Sequence, residues 1–367
     1  MSSLGRYVRA GALLLGAVAA LDANASSANA QEILMSRAAN RDQAVLEGAR
    51  KEGQVVLYSA AIVNQALRPL TEAFTKKYPF VKMTFWRGDT EEIMAKLSAE
   101  VRAKNLVVDL VEGTGIGELA VDAKLAEPYY SPMIEALPKH YRDPANHWTS
   151  TRISYFSIAY NTRLVPPDQA PRTYDDLLDP RWQGKLAWRI GTASGTPLFI
   201  TGIRLARGEE KANAYFKKLA GQKVINFGSG SARTLVDRVI AGEFPIALNI
   251  FAHHPLISKA KGAPVDSRLM DPVPATAATM IVPRGVKRPH AALLLADFIL
   301  SREGQEILAK ADYFPSRPDV PPKEGLASAQ RWPATRRGWP QSPQRCGKSR
   351  PRTPIAPCWR ELKSLSR

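Results

Sequence analysis

Short β-branched runs alternate with amphipathic helical stretches along this chain, and that order narrows the fold more than any other feature. Asp42–Glu52 places apolar residues at helical spacing, and Gln54-Val55-Val56-Leu57-Tyr58 is the kind of run that a parallel sheet buries. Val63–Lys77 repeats the helical pattern until Tyr78-Pro79 ends it, and Val81–Trp86 reads as the next strand. Asp89 is placed to cap a helix over Thr90–Lys104, where Glu91 and Glu92 favour the positive end of the dipole. Leu106–Val111 supplies a third strand, followed by Gly113-Thr114-Gly115-Ile116-Gly117. The order βαβαβ predicts an open, mostly parallel α/β sheet flanked by helices.

A second series follows. Ile153–Tyr160, Leu186–Ile190, Val224–Phe227 and Pro245–Ile250 read as strands. Thr196–Ala206, Glu209–Leu219 and Ser231–Ala241 read as helices, the last two closed by Gly221 and Gly242. Thr276–Val282 reads as another strand, and His290–Ser301 and Arg302–Lys310 as helices. Two α/β lobes of this size each bury enough core to fold.

Arg6 and Arg9 precede an apolar run from Ala10 to Leu21, and Ala28-Asn29-Ala30 has the small-x-small pattern of a signal-peptidase site. Residues 1–30 therefore read as a secretory signal cleaved before Gln31, and the expected location is the periplasm. The apolar run is too short for a membrane span, which needs roughly 20 residues. The net charge of +17 would ordinarily suggest nucleic acid or an anionic membrane as partner, but it is unevenly spread. Residues 325–367 carry ten Lys or Arg against Glu361, and the signal region adds one net charge, leaving +7 for 31–324. That balance suits an anion-binding body or simply a soluble one, and no nucleic-acid partner is expected.

The last 43 residues hold Cys346, Cys358, Trp332, Trp339, Trp359 and six prolines, with no helical or strand period. This composition argues for an irregular basic tail, either disordered or the product of a frameshift. A nucleic-acid arm is the rival reading of basic residues interleaved with tryptophan, and export argues against it. The cysteine spacing matches no zinc site and allows at most one disulfide.

In open α/β sheets, ligands lie beyond the carboxyl ends of the strands, beside helix N-termini. Four loops meet that description: Ser59-Ala60-Ala61; Glu112-Gly113-Thr114-Gly115; Gly191-Thr192-Ala193-Ser194-Gly195-Thr196; and Asn249-Ile250-Phe251-Ala252-His253-His254. Gly228-Ser229-Gly230-Ser231 is a weaker fifth. Their amides and hydroxyls suit an oxygen-rich ligand, whereas ordinary helix capping explains the same residues without one. The candidate ligand-binding residues are Ser59, Ala60, Arg87, Thr114, Arg189, Thr192, Ser194, Gly195, Thr196, Asn249 and His253, with Arg87 and Arg189 supplying positive charge. His253-His254 reads either as a ligand pair or as a surface pair at a helix start, and with Glu112 forms the candidate metal set. Gly113-x-Gly115-x-Gly117 is not a dinucleotide fingerprint.

The segment Thr-Tyr-Asp-Asp-Leu-Leu-Asp-Pro-Arg-Trp-Gln-Gly-Lys-Leu at 173–186 resembles a signature of periplasmic solute-binding proteins of the iron(III)-type ABC importer family (extracellular solute-binding protein family 1). The resemblance implies a type II periplasmic-binding fold of two lobes, the first 31–158 plus 270–324 and the second 159–269, hinged where the chain crosses. It implies a monomeric carrier without catalytic residues or a cofactor, which hands its solute to a membrane permease and its ATPase. Ferric members have adjacent tyrosines after the strand corresponding to 245–250, where this chain has Phe251-Ala252-His253-His254. The family's glutamate ligand matches Thr114, with Glu112 two residues earlier. The expected solute is accordingly an oxygen-rich organic or phosphorylated anion, or else ferric ion. The rival class is a secreted hydrolase using Ser194 and His253, for which the Gly-x-Ser-x-Gly spacing is missing.

Overall fold

A computed structural model describes residues 29–189, 196–228 and 231–323. The signal region, the basic tail with both cysteines, and Thr192, Ser194 and Gly195 lie outside the described residues.

After a short helical stretch over 29–35 comes α1 (Arg41–Glu52), which Gly53 closes in the left-handed conformation while donating its N–H to the Ala49 carbonyl. Next come β1 (Gln54–Ser59), α2 (Arg68–Lys77), β2 (Lys82–Arg87), α3 (Thr90–Arg102) and β3 (Leu110–Thr114). β1 pairs in parallel with both β2 and β3, as the βαβαβ order requires. The expected helix over 63–77 begins as a π-helical turn, Val63–Leu67. Pro69 has no N–H for the Gln65 carbonyl, so a regular first turn cannot form there. At Asp89 the expected cap is present, with its N–H donating to Glu92 Oε2 at 2.8 Å.

The third strand lies further along than its apolar run suggests. The Asp109 carboxylate takes the Val56 N–H at 2.8 Å and pairs with Arg288 at 2.8 Å, so the strand ladder starts only at Leu110. It then continues through Glu112, Gly113 and Thr114, all buried. Residues expected in a loop therefore stand on a strand.

After α4 (Ile116–Asp122) and β4 (Ala126–Glu127), β5 (Thr149–Asn161) runs through the middle of the molecule. Beyond it lie β6 (Leu186–Trp188), α5 (Thr196–Arg207), α6 (Glu209–Gly221), β7 (Ile225–Asn226), α7 (Ala232–Ala241), β8 (Ile246–Phe251), α8 (His253–Lys259) and β9 (Val265–Arg268). The chain then returns through β10 (Ala275–Pro283), α9 (Pro289–Leu300), α10 (Arg302–Lys310) and β11 (Phe314–Pro315). Among the described residues the sheet order is β2-β1-β3-β10-β5-β8-β6-β7. The two ends are parallel βαβ units, and the antiparallel strands β10 and β5 join them.

β5 serves both halves: Thr149–Tyr155 pair with β10, whereas Phe156–Asn161 pair with β8 and β9. Separate apolar cores sit on each side. One gathers Phe74, Leu293 and Phe298 beneath β1–β3, and the other gathers Phe156, Tyr174, Trp182 and Phe216 around β6 and β8. A small separate cluster gathers Ile153 and Phe314, on β5 and β11. No helix among the described residues is long and apolar enough to cross a membrane.

Candidate functional site

The carboxyl ends of the parallel strands of both halves meet at one seam. From the first half, Ser59 ends β1 and Glu112 stands near the end of β3. Ser59 donates its hydroxyl to Glu112 Oε2 at 2.5 Å, and Thr151 donates to Glu112 Oε1 at 3.1 Å. Arg152 closes the group, with Nη2 3.1 Å from the same Oε1 and both charged side chains buried. Such a pair recovers its desolvation cost only when hydrogen bonds satisfy the remaining atoms, as the two hydroxyls do for Glu112. Arg152 Nε, by contrast, is buried without a hydrogen-bond partner among the described residues. The guanidinium also lies over the Tyr313 ring, 4.4 Å from its centroid. Arg87, at the end of β2, pairs with Asp89 at 2.8 Å.

The second half answers with a linked set. Arg189 follows β6 and is 7% exposed; burial lowers its pKa, against attraction to Asp89 and Glu91 of the first half. Thr196, the first residue of α5, donates its hydroxyl to the Arg189 carbonyl and accepts from Asn249 Nδ2 at 2.9 Å. Asn249 itself has φ +47°, a left-handed conformation uncommon outside glycine.

His253 and His254 open α8. The His253 ring stacks on Phe251 with centroids 5.9 Å apart, packs on His254 at 4.2 Å and meets Tyr313 of the first half at 4.6 Å. Burial, then His254 and Arg152, push the His253 pKa well below the ordinary imidazole value. For His254, burial and then Arg233, Arg189, Arg87 and Arg152 bring it down to about 3. Both rings are therefore neutral at pH 7. Arg233 reaches Ser258 Oγ at 2.6 Å and the His254 carbonyl at 3.3 Å, and it pairs with Asp237.

Ser59, Glu112, Arg87, Arg189, Thr196, Asn249, His253 and His254 all belong to this seam. Ala60 is not available as a backbone donor, because its N–H is spent on the Glu112 carbonyl at 3.0 Å. Thr114 accepts from the Thr90 hydroxyl through its own carbonyl at 3.2 Å, a bond that ties β3 to α3. The candidate metal set is not assembled. Both Glu112 oxygens are engaged by Ser59, Thr151 and Arg152, and among the described residues no three His, Cys, Asp or Glu side chains gather to hold an ion. In the fifth loop, Ser231 accepts from the Thr234 N–H as an ordinary cap of α7, while Ser229 and Gly230 lie outside the described residues.

Arg152, Arg233 and Tyr313 are the seam residues that the sequence pattern does not single out. Arg152 carries a usable signal, a lone cation beside an otherwise buried apolar strand run, since such residues are rarely buried unpaired. Arg233 sits on an amphipathic helix among other charges and has no such mark.

Comparison with known proteins bears on the fold and the family. A relative in Haemophilus influenzae, an uncharacterised protein, is 28% identical over 281 residues, covering 73% of this chain and 78% of its own length. A Fe(3+)-binding periplasmic protein of Serratia marcescens is 24% identical over 59% of this chain, and the match spans 62% of that protein's length. Among solved structures, the periplasmic binding protein AfuA from Actinobacillus pleuropneumoniae, with fructose-6-phosphate bound, superposes with a TM-score of 0.65 at 25% identity, covering 74% of this chain and 88% of AfuA. Iron-bound HitA from Pseudomonas aeruginosa superposes with a TM-score of 0.63 at 18% identity, covering 74% and 89%. These likenesses show the two-lobed α/β fold of periplasmic binding proteins, and since residues 105–337 match the family described as bacterial extracellular solute-binding protein, the chain belongs to that family.

Proposed function

We propose that this protein captures a small oxygen-rich anion, phosphorylated or carboxylate-bearing, at the seam between its lobes and passes it unchanged to an ABC permease and its ATPase. The lobes in this reading are 31–158 plus 270–324 and 159–269, and they hinge where β5 and the approach to β10 cross. The protein acts as a periplasmic monomer after cleavage of residues 1–30.

The observation that carries the reading is the charge around His254. Burial is the larger cause of its lowered pKa, and four cations add to it, Arg233 and Arg189 from the second half and Arg87 and Arg152 from the first. Guanidiniums delivered from both sides are the donors that bind oxyanions most strongly, and closure brings them together. The Nε of Arg152 adds a donor without an acceptor among the described residues. The named ligands of the relatives divide between ferric ion and a sugar phosphate. The donor set here favours the second kind. Imidazoles stand where ferric members have tyrosines, and the Tyr313 phenol, raised by burial, accepts the Ile62 N–H at 3.1 Å. A neutral, ring-packed His253 also gives a hydrolase no solvent-facing base.

Calorimetry with fructose 6-phosphate, citrate, inorganic phosphate and ferric ion, each alone, tests the proposal. Binding of at least one oxyanion, lost in Arg189→Met, is the expected result. Retention of ferric ion with no response to any anion would overturn it.

A further inference from the structure

Asn249 is the seam residue that strand geometry explains least. Opposite β8 the register of β5 shifts: Ser157 faces Ile250 while Ala159 faces Ala247, so β8 carries an extra residue in that interval. The bulge breaks the alternation of side chains, and Leu248 and Ile250 enter different apolar clusters. Asn249, with φ +47°, is thereby re-aimed beside Thr196, the opening residue of the twelve-residue helix α5.

The hydrogen bonds at this point have a fixed direction. Thr196 has one hydroxyl proton, and it goes to the Arg189 carbonyl. Its Oγ1 can then only accept, so the Asn249 group facing it is the amide nitrogen, at 2.9 Å. The amide oxygen is turned away from Thr196, and it is buried with no hydrogen-bond partner among the described residues, in a residue only 6% exposed. Folded proteins rarely leave such an acceptor unmatched. The Arg189 carbonyl that orients Thr196 belongs to the residue whose guanidinium faces the seam acids Asp89 and Glu91, so the orphan acceptor and a seam cation lie on one short path.

We infer that Asn249 Oδ1 accepts a hydrogen bond from an O–H or N–H group of the captured solute, which is therefore a hydroxylated or amino-bearing anion and not inorganic phosphate. The inference rests on the anion-capture reading and sharpens it: the arginines take the oxyanion, and Asn249 selects for the donor next to it.

Matched pairs that differ by hydroxyls test this on the whole mature protein: citrate against tricarballylate, and glycerol 3-phosphate against n-propyl phosphate, with inorganic phosphate alongside. By calorimetry the hydroxylated member of at least one pair binds about tenfold more tightly, the worth of one good hydrogen bond. In Asn249→Gly, which accepts the left-handed backbone, that ratio falls towards one whatever the change in overall anion affinity. Asn249→Asp keeps an acceptor and retains the ratio, with weaker anion binding overall; thermal unfolding verifies that each variant is folded. Equal binding within both pairs, a ratio that survives in Asn249→Gly, or binding of inorganic phosphate alone overturns the inference and leaves anion capture standing. No binding of any of these anions overturns both.

Discussion

Replacing Arg152 by methionine separates a structural role for the Glu112 pair from a ligand-holding one. The guanidinium sits 3.1 Å from Glu112, with side chains 3% and 6% exposed, so its removal leaves a carboxylate buried with only the Ser59 and Thr151 hydroxyls for company. At an effective dielectric near 20, charges about 4 Å apart attract by roughly 4 kcal/mol. Losing one partner of a buried pair costs about 3–5 kcal/mol. The lost cation over Tyr313, at 4.4 Å, adds about 1–2 kcal/mol more at a desolvated site of this kind, so the lower figure is a safe floor. Urea unfolding of the solute-free protein reads the change as a lower midpoint with an unaltered slope. Glu112→Gln keeps the shape and one hydroxyl donor, the other hydroxyl turning to accept from the amide, so the double variant Arg152→Met/Glu112→Gln recovers at least half of the loss. The reasoning fails if Arg152→Met costs less than about 1 kcal/mol without solute, the level of an exposed pair.

Three further outcomes follow from the same geometry. His254 has a folded pKa of about 3 against an ordinary 6.5, so its contribution to stability is complete above about 6.5 and is lost as pH falls, at about 1.4 kcal/mol per unit; urea midpoints of wild type and His254→Gln at pH 7 and 5 should diverge accordingly, and parallel behaviour would contradict this. Asp109 is shifted the other way, raised by burial to about 6, so the protonated form is favoured in the fold and that stability is present below about 4 and lost as pH rises through 6; Asp109→Asn should flatten the stability profile across that window by about 2–3 kcal/mol, and an unchanged profile would refute the assignment. Thr196→Ala removes both the acceptor of Asn249 Nδ2 and the donor to the Arg189 carbonyl, and anion affinity measured by calorimetry should fall about tenfold with the fold intact.

Much of the scaffold is legible in the chain itself, because its signals are local. Gly242 closes α7 in the left-handed conformation and Ser231 caps it, and both are marked by residue type alone. The departures have equally physical causes. Pro69 fits the pattern of one continuous helix, yet its missing N–H opens a π turn ahead of α2. β3 is displaced because an Asp109 side chain occupies the first ladder position and because the strand continues through polar residues that periodicity treats as loop. The seam is half legible. Ser59, Thr196 and the histidines stand at strand or helix ends, where a general rule about α/β sheets directs attention, while Glu112 and Asn249 lie inside β3 and β8. Nothing in the local pattern tells that Glu112 is neutralised by an arginine on β5, or that Tyr313 returns to pack on His253. Those contacts depend on β5 and β10 meeting, which is a property of the whole topology.

How the charges are matched bears on why a solute is needed at all. Arg152 is neutralised within its own half by Glu112, and Arg233 within its half by Asp237. Arg189 is also acted on from across the seam, by Asp89 and Glu91 at the start of α3. Bringing the halves together is therefore electrostatically favoured before any anion arrives, and an incoming oxyanion must compete with two carboxylates already facing the same guanidinium. Charge alone is a poor means of winning that contest, since Asp89 and Glu91 are tethered in place and a free ion surrenders its translational freedom. A solute that also gives the buried Asn249 oxygen its missing donor gains something that the tethered carboxylates cannot offer. On the proposed reading, selectivity at this seam comes from the Asn249 acceptor, while the arginines set affinity for anions as a class.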